Sequence, residues 1–177
     1  MSKISKSIFL GLVVIHVPTK FCTSRYRWGC FVDIFYRAIL SQTGPVSIYH
    51  TVLFQVEVGG KTDWDLGVAS HSVNRKGKIT VSPAHGYWFL SLRDRNDYAF
   101  RTEPSTPLTV NLKPYRIGVY VDCDKGLVSF YNVEARLLIY TFKDSFSDAI
   151  HPFFSPCTNK SGRNEAPLII CPVAMTE

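Results

Sequence analysis

From residue 53 onward the chain is broken by Gly, Pro, Asn or Asp roughly every 8–12 residues, which predicts short strands joined by turns rather than helices. The residues between these breaks are rich in β-branched and aromatic side chains, which suit a pleated, half-buried surface. Strands are predicted over residues 53–58, 63–69, 78–81, 87–93, 98–101, 116–122, 127–132, 137–142, 150–155 and 168–171. Asp124-Lys125-Gly126 is a hairpin turn, because Gly supplies the positive φ that such turns need. The link through Pro104 and Pro107 reads as a loop, and residues 143–149 as a single helical turn. This many short strands provides two inward-facing layers, and the predicted fold class is an all-β, two-sheet antiparallel sandwich.

Composition narrows the function. Hydrophobic residues make up 46% and charged residues 19%, which excludes bulk disorder. No apolar run reaches the roughly 18–20 residues needed to cross a bilayer, so no transmembrane segment is expected. No heptad run is present for dimerisation through a coiled coil. The net charge is +6, but residues 1–53 carry six bases (Lys3, Lys6, Lys20, Arg25, Arg27, Arg37) against one acid, Asp33. The remaining 14 bases face 13 acids, so the strand-rich part is nearly neutral. A nucleic-acid binder concentrates its charge on the folded domain, and no nucleic-acid partner is expected.

The five cysteines, Cys22, Cys30, Cys123, Cys157 and Cys171, include no C-x-x-C pair, which argues against a zinc module and any other metal site. They read as reduced thiols, in keeping with a cytoplasmic protein. The alternative is secretion: Lys3 and Lys6 precede an apolar run from Ile8 to Ile15, and residues 1–24 then have the outline of a signal peptide. The sequon Asn159-Lys160-Ser161 would matter only in that case.

No catalytic constellation is expected, and no cofactor. The chain lacks a nucleophile elbow, a phosphate loop, an H-E-x-x-H pair and a dinucleotide fingerprint. The sharpest catalytic candidate is Cys157 with His151 as base and Asp148 as orienter, since a nucleophilic thiol needs an imidazole within hydrogen-bond reach. Six residues of strand and loop do not bring them together, and a loop thiol with a solvated His is the expected reading. Asp122 and Asp124 flank the hairpin turn, where Asp serves local hydrogen bonding.

The order of the aromatic and Gly motifs is more specific. Gly60-Lys61-Thr62-Asp63-Trp64-Asp65-Leu66-Gly67-Val68-Ala69 is followed by Ser72-Val73-Asn74-Arg75-Lys76-Gly77 and by Gly86-Tyr87-Trp88. Gly118-Val119-Tyr120-Val121-Asp122, Gly126-Leu127-Val128-Ser129-Phe130-Tyr131-Asn132 and Pro152-Phe153-Phe154-Ser155-Pro156 come next, and Asn164-Glu165-Ala166-Pro167-Leu168-Ile169-Ile170-Cys171-Pro172-Val173 ends the series. Residues 54–174 resemble the SPRY domain of the PRY-SPRY type that ends tripartite-motif (TRIM) proteins and butyrophilins, most closely the TRIM versions of fishes. The resemblance implies a bent, lectin-like jelly-roll sandwich. It also implies a non-catalytic module that binds a protein or peptide through loops at one end, as the substrate-recognition end of a TRIM-type ubiquitin ligase does. The ligase chemistry of such proteins sits in an N-terminal RING, which this sequence does not contain.

Carried over position by position, the resemblance places the protein-binding pocket at Asp65, Ser91, Arg93 and Thr158, with Arg95 and Asp97 as further contacts. Relatives that grip a protein carry aromatic rings where this chain has Ser91 and Arg93, so the pocket is expected to suit an acidic or hydrogen-bonding epitope. A carboxylate satisfied by backbone amides or a nearby Arg is the equal alternative for Asp65. Trp64 and Trp88 are expected in the core. The butyrophilin relationship leaves open a sensor of a small anionic ligand. The Leu-Asp-Pro-x-Thr-Ala motif of PRY is not visible in residues 1–53. That segment either replaces the PRY strands, with residues 8–15 and 31–39 as candidates to cover the vacated sheet edge, or marks a truncated, non-functional relative.

Overall fold

The computed structural model describes residues 7–9, 15–17, 51–74, 80–159 and 162–171. Twelve strands are present among them: β1 (Ser7–Phe9), β2 (Ile15–Val17), β3 (Thr51–Glu57), β4 (Trp64–Ser70), β5 (Tyr87–Arg93), β6 (Asp97–Phe100), β7 (Thr106–Leu108), β8 (Arg116–Asp122), β9 (Leu127–Asn132), β10 (Leu137–Lys143), β11 (Ile150–Ser155) and β12 (Leu168–Cys171). They form two sheets. The first runs β10-β9-β8-β3-β12-β2, and the second runs β11-β4-β5-β6-β7. All pairings are antiparallel except that of β1, which lies parallel to the first half of β3, Ser7 opposite Thr51. The second half of β3 pairs with β12 on that same edge, Glu57 opposite Ile169. Residues 31–39, the other candidate cover for this edge, lie outside the described residues.

The expected all-β sandwich is therefore the observed fold, and its core follows from period-2 alternation. Phe54 and Val56 of β3, Ile117, Val119 and Val121 of β8, and Val128 and Phe130 of β9 point inward from the first sheet. Trp64, Leu66 and Val68 of β4, Trp88, Leu90 and Leu92 of β5, and Phe154 of β11 meet them from the second. Phe54 and Phe154 meet edge to face at 5.5 Å across the interlayer space, and Phe100 stacks on Tyr140 at 4.0 Å. The edge-to-face contact of Phe54 and Phe154 is one that aromatic pairs favour over a face-to-face sandwich, and it adds about 0.5–1.5 kcal/mol beyond the buried area.

Three local expectations change. Residues 106–108 form an edge strand, β7, where a loop was expected; Pro107 is tolerated because only one side of β7 is paired. Residues 143–149 contain no helical turn, since β10 continues to Lys143 and the segment beyond it is irregular. The described 3-10 turn is instead Pro83–His85, started by Pro and stopped by Gly86 at φ 81°. Of the predicted strand 78–81, Lys78 and Ile79 lie outside the described residues, and Thr80 and Val81 are not in a strand.

Candidate recognition site

The second sheet buries its outer face as well as its inner one. Three rows cross β11, β4 and β5 there: Ser155-Asp65-Ser91, Phe153-Gly67-Phe89 and His151-Ala69-Tyr87. All of these side chains are buried. The two lower rows form a second apolar cluster of Ala69, Tyr87, Phe89 and Phe153, with Val73 and Val81 packed against it. The upper row is polar and lies at the end of the sheet where the β5–β6 turn and the segment after β11 converge.

Asp65, 1% exposed, is the centre of that row. Arg93 Nη2 donates to both of its carboxylate oxygens, at 2.7 and 2.9 Å, and Ser91 Oγ donates to Oδ1. The Cys157 thiol points at Oδ2 from 3.7 Å. The other guanidinium nitrogen, Nη1, donates to the carbonyls of Trp64 and Leu92 at 2.9 and 2.7 Å. Arg101 Nε then donates to Ser91 Oγ at 2.9 Å. Burial works against the Arg93 charge, but the neighbouring Asp65 outweighs it, and the guanidinium pKa is raised. Burial pushes the Cys157 thiol up to about 12, with Asp65 adding to the effect and Arg93 opposing it.

Around this closed network the backbone is held in an uncommon shape. Asp94 and Arg95 both have positive φ, 47° and 71°, without being Gly. Arg95 N donates to Thr62 O at 3.0 Å, which anchors the turn to the segment before β4. The side chains of Asp94, Arg95, Asn96 and Asp97 are all exposed. Asn164, 1% exposed, clasps the facing segments: its Oδ1 accepts from the amides of Thr62 and Asp63, and its Nδ2 donates to the carbonyls of Asp63 and Pro156. Thr158 is half-buried and offers its carbonyl to the same Nδ2 at 3.4 Å. Lys61 Nζ reaches the Ala166 carbonyl at 2.7 Å beside this clasp.

The SPRY domain family profile matches residues 51–169. The chain belongs to the SPRY domain family. It is 48% identical over 121 residues to human pyrin, covering 68% of this chain and 16% of that protein. It is 47% identical over 118 residues to mouse erythroid membrane-associated protein, covering 67% of this chain and 21% of the relative. Bovine E3 ubiquitin-protein ligase TRIM21 is 42% identical over 124 residues, 69% of this chain and 26% of that one. The chain thus spans about a quarter or less of the length of these curated relatives. Among solved structures, the TRIM65 PSpry domain superposes with a TM-score of 0.56 at 17% identity, over 68% of this chain and 63% of that one. Stonustoxin superposes at 0.57 with 24% identity, over 69% and 20%. Both show the sandwich fold.

Within this SPRY domain the residues expected by resemblance fall into two groups. Asp65, Ser91 and Arg93 are brought together, but Asp65 and Ser91 are buried and the hydrogen bonds of Arg93 run inward. Arg95 and Asp97 are at the surface, and Thr158 borders the same end. Arg101 and Asn164 were not singled out as site residues; Asn164 opens the last of the motifs quoted above, whereas no local pattern marks Arg101. The catalytic candidate does not assemble. His151 lies near the start of β11, a strand of about 20 Å, and Cys157 lies two residues beyond its far end. His151 Nε2 is 3.1 Å from His71 Nδ1, and Asp148 accepts from the amide of Ser72. A thiol at about 12 is also the reverse of an activated nucleophile. Cys123, Cys157 and Cys171 are free thiols. Among the described residues no cluster of three or more His, Cys, Asp or Glu could hold a metal, and no helix is long and apolar enough to cross a membrane. Of the sequon, only Asn159 is described; it is exposed, and its side chain accepts from the amide of Asn164.

Proposed function

We propose that this SPRY domain, taken as residues 54–174, is a non-catalytic protein-recognition module that reads a polar, charged epitope with its β5–β6 turn. The observation that carries the reading is the turn itself. Two successive non-Gly residues at positive φ each cost on the order of 1–2 kcal/mol, and such strain persists only where its surroundings hold it. Here the Asp65–Arg93 pair and the Arg95–Thr62 bond hold it, and what it displays is four consecutive polar side chains, residues 94–97. A fixed loop on a rigid sheet loses little entropy on binding. Asp65, Ser91 and Arg93 act in this reading as the frame, Arg95 and Asp97 as contacts, and Thr158 as the facing wall. The likeness to TRIM21 supports assigning the module to the substrate-recognition end of a TRIM-type ubiquitin ligase, with the cytoplasm, where the thiols stay reduced, as its compartment. A small-anion sensor draws no support from this end, because Arg93 is committed to Asp65 and to two carbonyls.

The test is cross-linking capture in cells with full-length chain and its R95E/D97K variant. Both residues are exposed, so stability should stay within about 0.5 kcal/mol of the parent. Partners captured by the parent should fall at least tenfold with the variant. An unchanged partner set would overturn the reading.

A further inference from the structure

An open sheet has edges, and an unpaired edge strand offers a row of backbone donors and acceptors to another chain. Among the described residues, the first sheet ends at β10 on one side and at β1 and β2 on the other, and the second ends at β11 and β7. All of these edges but β10 are guarded. β1, β2 and β7 are three residues long, β7 carries Pro107, and β11 carries Pro152 and is buried at all six positions. Short length and Pro are devices that keep an edge from pairing. β10 has neither. It runs Leu137-Leu138-Ile139-Tyr140-Thr141-Phe142-Lys143, with no Pro, no Gly and no charge before Lys143. Leu137 and Leu138 at its start are 53% and 56% exposed.

The faces of this strand select its occupant. A bulge between Leu138 and Tyr140 interrupts the ladder to β9, and from Tyr140 to Lys143 the ladder is regular. Tyr140 and Phe142 point into the core there, 4.9 Å apart, with Phe100 stacked on Tyr140. Thr141 alternates to the outer face, its hydroxyl 2.9 Å from that of Ser129. The strand is therefore self-complementary about Thr141. A two-fold axis there, perpendicular to the sheet, sets Thr141 against Thr141 and each Tyr140 against Phe142 of the second copy, with both members of every pair on one face. Thr–Thr and aromatic pairs in direct opposition stabilise antiparallel strands. Lys143 then meets Ile139 rather than another Lys. An axis at Tyr140 fails, because the bulge would bring inward Phe142 opposite Leu138, which shares the outer face with Tyr131. We propose that β10 is a self-association edge, on which a second copy of this chain adds its own β10 antiparallel and joins the two first sheets into one. Such an interface is small, and small interfaces belong to weak, transient pairs. The proposal does not rest on the reading of the β5–β6 turn.

Sedimentation equilibrium of the full chain tests it. The mass should rise from 20.0 kDa towards twice that across the micromolar range. T141K and T141E each set like charges in direct opposition at the axis, and each should weaken association by about fivefold or more while its melting curve stays cooperative. An equimolar mixture of the two variants pairs Lys with Glu and should return association to within about twofold of the parent, a recovery that misfolded variants would not give. A parent that stays at 20.0 kDa at every concentration, leaving β10 to an extended segment of another protein, would overturn the proposal. So would association unchanged in T141K and T141E, which puts the contact elsewhere, or a mixture that recovers nothing.

Discussion

Phe89 and Phe153 stack at 4.2 Å with their planes only 22° apart, although a whole strand separates them. The strand between is β4, and the residue in register with both rings is Gly67. Its missing side chain is what lets the two rings close over the sheet. A Cβ at Gly67 would lie 2.0 Å from the Trp88 carbonyl and 2.9 Å from Phe89 Cα, both of them backbone. Gly67→Ala is therefore expected to destabilise the domain by about 3 kcal/mol or more, at the upper end of overpacking effects. Urea unfolding of the two chains measures it, and a loss under about 1 kcal/mol would show that β5 can move aside.

The Asp65–Arg93 pair predicts a specific pattern of coupling. Arg93 keeps 30% of its side-chain exposure, so removing it should cost less than the 3–5 kcal/mol of a fully buried pair, about 2–3 kcal/mol for R93M. The loss arises from leaving Asp65 charged and buried beside Ser91 and Cys157. D65N in the R93M background should then recover at least half of it. A double-mutant cycle in urea reads the coupling directly.

Cys157 should be a slow thiol. With its pKa pushed up to about 12 from the ordinary 9, its thiolate fraction at pH 8 is lower by about 1,000-fold, and alkylation falls with it. Iodoacetamide labelling followed by peptide mass spectrometry, native against urea-unfolded, checks this. Equal labelling in both states would contradict the buried contact with Asp65.

Acid should destabilise the domain through two named carboxylates, Asp122 at the β8–β9 turn and Asp148 across from Ser72. Hydrogen bonding to Lys125 holds the Asp122 carboxyl below its ordinary value, and hydrogen bonding from Ser72 does the same for Asp148. A carboxyl whose folded pKa is depressed contributes stability that is complete above its unfolded value, near 3.8, and is lost as pH falls through the lower folded value. Melting temperature should therefore drop below about pH 4, and D122N and D148N should each flatten that drop. Melts between pH 2.5 and 6 resolve it.

Much of the sandwich was legible in the sequence because alternation and turn residues agree. The boundaries of β5, β8, β9, β11 and β12 fall where the pattern puts them, bracketed by Gly86, Asp124-Lys125-Gly126 and the Pro-rich segments. β7 was not legible: three mostly exposed residues around a Pro carry no period, and only pairing to β6 makes them a strand. At the recognition site, register explains what could be read. Asp65 and Ser91 sit directly opposite, so their motifs point to one place. Arg101 reaches Ser91 only because β6 folds back beside β5, and Asn164 meets Thr62 across 102 residues. The inward turn of Arg93 depends on the Trp64 and Leu92 carbonyls, which no side-chain pattern encodes.

The Asn164 clasp also sets an order of events during synthesis. It ties residues 62 and 63 to residues 156 and 164, so it closes a loop of about a hundred residues, and contacts of that span form late. A ribosome that has made every strand through β10 has still not made the residue that fastens the segments bordering the β5–β6 turn. If the proposed reading of this end holds, a chain cut before Asn164 lacks that fastening and should capture partners less well than the chain that includes it.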